Sequence, residues 1–226
     1  NFSEDGVHFG QMRPWPRYNP PADSHNFPLR DKKDGKFKLF TRTWMNGMRI
    51  EVMSESTDFI NWSEPVEVLR GEGFSDQIYS MPVFQYEGLY IGLPSVFHEG
   101  DRSAPDFDTV DLGLAYSTDC LHFNRVVKAE YLLDRGAGHY PDGEFDCGCI
   151  YAAAPVEIDG KLYIYYMGGN GQHTNFRRTS FGRGYLEKDK FAYYEAANGE
   201  KESVLATANF HIYGEQLRLL CDLETD

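Results

Sequence analysis

The sequence has no run of about 18 apolar residues, so nothing in it reads as a membrane-spanning helix. It is also short of basic residues: 22 Lys and Arg against 35 Asp and Glu leave a formal charge of −13. A field of that sign repels phosphate backbones and anionic lipid surfaces, so neither nucleic acid nor a membrane is expected as a partner. Cysteine is scarce. Cys120, Cys147, Cys149 and Cys221 leave the redox compartment open, and Cys147 and Cys149 stand too close for an unstrained bridge or a zinc knuckle. Buried free thiols are expected. No Gly-rich phosphate loop, Cys/His zinc set or Gly-x-Ser-x-Gly elbow occurs, so no metal and no cofactor is expected. No window carries a helical apolar stripe longer than two turns, which leaves an all-β chain with almost no helix.

What the chain does have is a repeat. Ser3-Glu4-Asp5-Gly6-Val7-His8-Phe9, Ser56-Thr57-Asp58-Phe59-Ile60-Asn61-Trp62 and Ser117-Thr118-Asp119-Cys120-Leu121-His122-Phe123 share the pattern Ser-x-Asp-x-x-x-aromatic, at steps of 53 and 61 residues. A period of that size signals a repeat architecture. Each unit runs in one order: an apolar stretch (26–29, 81–84, 153–156), a turn (Asp34-Gly35, Glu87-Gly88, Asp159-Gly160), a return strand (37–40, 89–92, 162–166) and a third strand (49–52, 112–115, 178–181). Asp-Gly between alternating segments is a hairpin signal, because the tight turn needs positive φ. The Ser and Asp of the closing phrase can bond nearby amides, so Asp5, Asp58 and Asp119 read as structural. The terminal aromatic is expected to begin an outer strand. Antiparallel units with a recurring aromatic describe propeller blades. The chain opens inside a repeat phrase, so the upstream strands of a first blade are expected to lie outside it.

The run Gly143-Glu144-Phe145-Asp146-Cys147-Gly148-Cys149-Ile150-Tyr151-Ala152-Ala153 resembles the start of the fourth blade of glycoside hydrolases of families 32 and 43. Lys161 to Gly169 resembles the next strand, and Gly184 to Phe191 a last-blade segment. Leu205-Ala206-Thr207-Ala208 and Tyr213 to Leu219 resemble the lead-in to the β-sandwich that often follows. The Gly spacing of the sialidase Asp box is absent, which favours families 32 and 43. The resemblance implies a five-bladed propeller over 1–203, seen as three blades plus part of another, and the start of a C-terminal sandwich over 204–226.

The same resemblance implies hydrolysis of a glycosidic bond by paired carboxyl groups, with an oligosaccharide or glycoside, neutral by the charge argument, as substrate. It points to Asp23 as the stabilising Asp of the second blade, with Asn26 as the alternative. The Glu expected before Met81-Pro82 has no counterpart, leaving Asp76 as a substitute acid and Tyr79 as a sugar contact. In the fourth blade Glu144 is a displaced acid and Asp146 binds hydroxyls. Tyr151, His98, His173 and Arg177 would line the same mouth. Asp101, Asp106, Asp108 and Asp111 read as an exposed acidic loop, and Trp44, between Arg42 and Arg49, as core, with an aromatic sugar platform as the alternative. The missing Glu keeps a non-catalytic sugar-binding propeller open, and exposed aromatics a protein-interaction propeller.

Overall fold

The computed structural model describes residues 3–11 and 25–196, and beyond them 204–207, 209, 211, 214–216 and 219–221. Residues 1–191 form one compact unit that holds every described strand; the described residues of 192–226 form none. The expected sandwich lead-in lies partly outside the described residues. Among the described residues there is no helix.

The first sheet is β1 (Asn26–Arg30), β2 (Phe37–Met45), β3 (Met48–Ser56) and β4 (Val66–Leu69), antiparallel in sequence order. Asn46-Gly47, with φ of 54° and 80°, closes β2 onto β3 in a two-residue turn.

The second unit is split, because each long strand is interrupted at Pro or Gly, which weaken a ladder. Met81-Pro82 separates β5 (Gln77–Ser80) from β6 (Val83–Tyr86), and Leu93-Pro94 separates β7 (Leu89–Gly92) from β8 (Ser95–His98). Gly113-Leu114 separates β9 (Thr109–Leu112) from β10 (Ala115–Ser117), and β11 (Asn124–Arg125) closes the unit. The outer halves form one sheet in the order β11-β10-β7-β6. The inner halves continue into the third unit of β12 (Cys149–Ala152), β13 (Val156–Ile158), β14 (Lys161–Gly169) and β15 (Thr179–Glu187), because β12 runs parallel to β9 at Cys149 and Val110. Glu87-Gly88 and Asp159-Gly160 are the expected tight turns, all four residues at positive φ.

The core lies between the units. Phe40, Met53 and Val68 of the first sheet meet Met81, Val83, Tyr90 and Phe123 of the second. Ile91, Leu93 and Leu112 of the second meet Ile150, Ile164 and Tyr166 of the third. Period-two alternation explains this: Leu162, Ile164 and Tyr166 are buried, while their neighbours on β14 are more exposed. A polar latch reinforces the first of these contacts. Asp31 accepts from Gln85 Nε2 and the Tyr90 hydroxyl, each at 2.7 Å, and lies 3.4 Å from Lys38 Nζ.

The repeat phrase has one geometry three times. Ser3, Ser56 and Ser117 donate to the Asp two residues on at 2.9, 3.0 and 2.9 Å. Each Asp Oδ1 accepts two following amides, and the residue after each Asp has positive φ. These bonds hold the three carboxyls well below the usual range, with His8, the Asn61 amide and His122 as the leading causes. Two details differ from expectation. Trp62 and Phe123 lie between the end of the bend and the strands β4 and β11, Phe123 directly before Asn124, and Phe9 is exposed. Of residues 153–156, Ala153, Ala154 and Pro155 form an exposed or half-buried break between β12 and β13, and Val156 opens β13.

Candidate functional site

The starts of three first strands converge. His25 immediately precedes β1, Tyr79 lies on β5 and Tyr151 on β12. Their ring centroids form a triangle: 6.0 Å from His25 to Tyr79, 5.5 Å from His25 to Tyr151 and 5.4 Å from Tyr79 to Tyr151. The register of β5 slips between Ile78 and Ser80, and this irregularity leaves Tyr79 out of the ladder and aims it at the other rings. His173, on the loop after β14, closes the cluster at 4.8 Å from Tyr79 and 5.1 Å from Phe97. Its Nδ1 is 2.7 Å from the Tyr151 hydroxyl. Burial lowers the His173 pKa to about 4, and the nearby Arg177, Arg49 and Arg42 push it the same way against Asp108. The imidazole is therefore neutral at physiological pH.

Cations flank the rings. The Arg42 guanidinium sits 4.0 Å from the Tyr79 ring centre and 4.9 Å from that of Trp44, and Arg49 sits 4.6 Å from Phe97. Trp44 is 41% exposed, so it is not the core residue expected. Glu99 accepts from Arg49 at 2.9 Å and from Gln77 at 2.8 Å, and these donors hold its carboxyl below the usual range against burial. Arg177 donates to the carbonyls of Gln172 and His173, bracing their loop. Asn26 is exposed and accepts from Thr41 Oγ1 at 2.7 Å. Asp23 lies outside the described residues.

Glu144 and Asp146 meet at the loop 134–137, where Asp134, Arg135, Gly136 and Ala137 help line an open cleft of about 530 Å³. The Ala137 amide donates to Glu144 Oε2 at 2.7 Å, and the Tyr166 hydroxyl to Asp146 Oδ2 at 2.8 Å. A methyl group on Gly136 would lie 2.4 Å from Asp146 Oδ1 and 2.6 Å from Glu144 Oε2. The two carboxyl oxygens thus lie within about 5 Å of each other, and only glycine leaves them that room.

Asp76 and His98 are engaged elsewhere. Asp76 accepts from Arg125 at 2.6 Å and from the Glu72 amide at 3.1 Å. His98 is buried, with Nε2 2.8 Å from Asp111 and Nδ1 2.8 Å from the Ser75 carbonyl. Burial disfavours its charge, but Asp111 and the Ser75 carbonyl outweigh burial and raise its pKa. Arg135 joins the far oxygen of Asp111 at 2.9 Å. The expected exposed acidic loop is therefore corrected in part: Asp108 and Asp111 are buried, because each has donors that a solvated loop would lack.

His25, Phe97 and Asp108 escaped the sequence reading of the site. A signal for His25 existed, since both His25 and Tyr79 stand three residues before the Pro of their strand, Pro28 and Pro82. Among the cysteines, Cys120, Cys147 and Cys149 are buried free thiols and Cys221 is free and exposed.

No family model matches the sequence, and no curated protein matches it. Solved structures do match its fold. A family 117 glycoside hydrolase produced by the marine bacterium Zobellia galactanivorans aligns with TM-score 0.59 and 13% identity over 78% of this chain and 57% of its own. A β-1,2-mannobiose phosphorylase from Listeria innocua aligns with TM-score 0.56 and 16% identity over 77% and 46%. A family 32 β-fructofuranosidase of Bombyx mori aligns with TM-score 0.51 and 18% identity over 79% and 39%. The chain spans about half the length of these structures. At such identities what is shared is the fold, an all-β arrangement that these carbohydrate-active enzymes also use.

Proposed function

We propose that this chain forms blades of a five-bladed propeller that acts on a neutral glycan, and that the sugar seats where His25, Tyr79 and Tyr151 meet. The ring triangle carries the reading. Aromatic faces cover the apolar side of a pyranose, and ring nitrogens and hydroxyls meet its polar edge. His173, neutral and braced by Tyr151, supplies one such hydrogen-bonding edge, and Arg177 steadies the loop that presents it. Asn26 opens β1 directly after His25, and the role expected of Asp23 remains part of this proposal by its place in the sequence alone.

Hydrolysis falls to Glu144 and Asp146. Their facing oxygens lie no more than about 5 Å apart, which suits the short carboxyl spacing of a retaining pair better than the wider spacing of an inverting one; in a retaining pair one carboxyl attacks and the other protonates the leaving oxygen. Asp76 and His98 hold elements together instead.

The test is to incubate the protein with a panel of neutral oligosaccharides, following reducing-sugar release and the imidazole resonances of His25 and His173. Sugar-dependent shifts that vanish in Tyr79→Ala, with turnover lost in Glu144→Gln, support the reading. A panel that moves neither resonance removes the ring cluster as a glycan site. Shifts without turnover favour a non-catalytic binder, a reading supported by Asp76 being taken up by Arg125 where the third blade would need its acid.

A further inference from the structure

Asp108 belongs to the second unit and His173 to the third, yet the two loops are joined at this point. The Asp108 carbonyl accepts the His173 amide at 2.6 Å. Its carboxylate accepts both the amide of Thr174, at 3.1 Å, and the Thr174 hydroxyl. One residue earlier, the Phe107 carbonyl accepts Gln172 Nε2 at 3.1 Å. Asp108 is itself fixed from behind, because its amide donates to the His98 carbonyl at 2.6 Å, at the end of the strand that carries Phe97. It is 2% exposed and holds φ of 63°, a conformation that Asn, Asp and Gly tolerate better than other residues. A buried carboxylate in a left-handed conformation, with a hydroxyl and an amide of the neighbouring unit on one oxygen, goes beyond what an ordinary surface loop requires.

We propose that Asp108 is a positioning residue: it holds the 172–174 loop so that His173 stays packed against Tyr79, Phe97 and Tyr151. The functional meaning rests on the reading of the ring cluster as the glycan site, but the positioning itself does not.

The charge and the latch act on His173 in opposite directions, which makes the two roles separable. The groups acting on the imidazole are Arg177 on its own loop, Arg42 and Arg49 on β2 and β3, and Asp108. The Asp108 charge raises the His173 pKa, whereas burial, the largest influence, lowers it. Asp108→Asn keeps an acceptor for Thr174 and tolerates the backbone angle but removes the charge. It is expected to leave the His173 pKa low, at or below about 4. Asp108→Gly is at ease at this φ and removes the carboxylate, so the Thr174 anchor is lost while the backbone bond to the His173 amide stays, and the loop is loosened and burial reduced. There the pKa is expected to climb towards the ordinary value of about 6.5.

The experiment is an NMR pH titration of the His173 imidazole in the wild type, Asp108→Asn and Asp108→Gly, with thermal unfolding recorded for each. A low value in Asn and a raised one in Gly is the expected result. Equal values in all three folded proteins, or a fall in Gly, would overturn the proposal. Should Asp108→Gly fail to fold, Thr174→Val removes the hydroxyl donor from the other side and must raise the His173 pKa in part; no change there also overturns it. Adding the neutral oligosaccharide panel to the wild type tests the glycan reading separately. A silent His173 in that arm sinks the glycan site and leaves the positioning role standing.

Discussion

The Tyr151 hydroxyl and His173 Nδ1 lie 2.7 Å apart, a bond between β12 of the third unit and the loop that follows β14. Desolvation sets its character. With the imidazole neutral, the phenol can donate to Nδ1, which leaves the other ring nitrogen carrying the proton and able to donate to a ligand oxygen. Tyr151→Phe leaves Nδ1 of the half-buried imidazole without that partner. It is expected to cost about 1 kcal/mol, a drop in Tm of about 2–4 °C for a chain of this size. Sugar-induced shifts of His173 should weaken at the same time. An unchanged Tm together with unchanged sugar response would show that the bond matters to neither.

The depressed pKa of His173 also predicts a pH dependence of stability. The folded value, about 4, lies below the unfolded value near 6.5. The unfolded state therefore takes up the proton first as pH falls. This contribution is present above about pH 6.5 and is lost as the pH drops from there towards 4. Because the ring is only partly buried, the loss is expected to be about 1–2 kcal/mol rather than the full converted shift. Urea midpoints of the wild type and His173→Gln across pH 4–7.5 check this: the difference between the two proteins should change over that window and be flat above it.

His98 predicts the reverse sign. Asp111 and the Ser75 carbonyl raise its pKa despite burial, so its stabilising charge is present below about pH 6.5 and is lost as pH rises through the folded value. His98→Asn should therefore destabilise the protein more at pH 6 than at pH 9. A constant difference across that range would mean that the ring is held neutral.

Much of this was legible in the sequence, and the parts that were not share a cause. Repeat phrases, tight turns and strand order depend on residues within a few positions of one another, so Ser56, Asp58 and Glu87-Gly88 announced their geometry locally. The burial of Asp108 and Asp111 depends on donors from residues 174 and 135, which no local pattern links to an acidic loop. Asp76 and His98 were plausible site residues by position along their strands. What distinguishes them is Arg125, Asp111 and Ser75, partners supplied by other strands and loops. Trp44 was misplaced for a related reason, since a strand residue beside two arginines can face either way.

The repeat phrase supplies a graded stability test. Ser117 is buried, and its hydroxyl accepts the Cys120 amide at 3.0 Å while donating to Asp119. Ser117→Ala leaves a buried amide unsatisfied and is expected to cost about 1–3 kcal/mol. Ser3→Ala removes the same bonds from an exposed copy, where water replaces them, and should change stability by less than about 0.5 kcal/mol. Equal effects at the two sites would contradict the view that burial, not the turn geometry alone, sets the worth of these bonds.

Gly136 tests the carboxyl pair without touching either acid. Gly136→Ala places a methyl group within 2.4 Å of Asp146 Oδ1, 2.6 Å of Glu144 Oε2 and 2.7 Å of Glu144 Cβ. The side chains must move, and overpacking of this kind costs about 1–3 kcal/mol. Because the cleft is open, Glu144 can swing outward, so the protein should still fold. Its separation from Asp146 would then exceed the roughly 5 Å a retaining pair needs. Any glycosidase activity should accordingly fall at least tenfold with little change in sugar affinity at the rings, as read by the His173 resonance. A Gly136→Ala protein that keeps full turnover would move hydrolysis away from Glu144 and Asp146. A protein that loses both turnover and binding would mean that the loop 134–137 and the ring cluster are not independent.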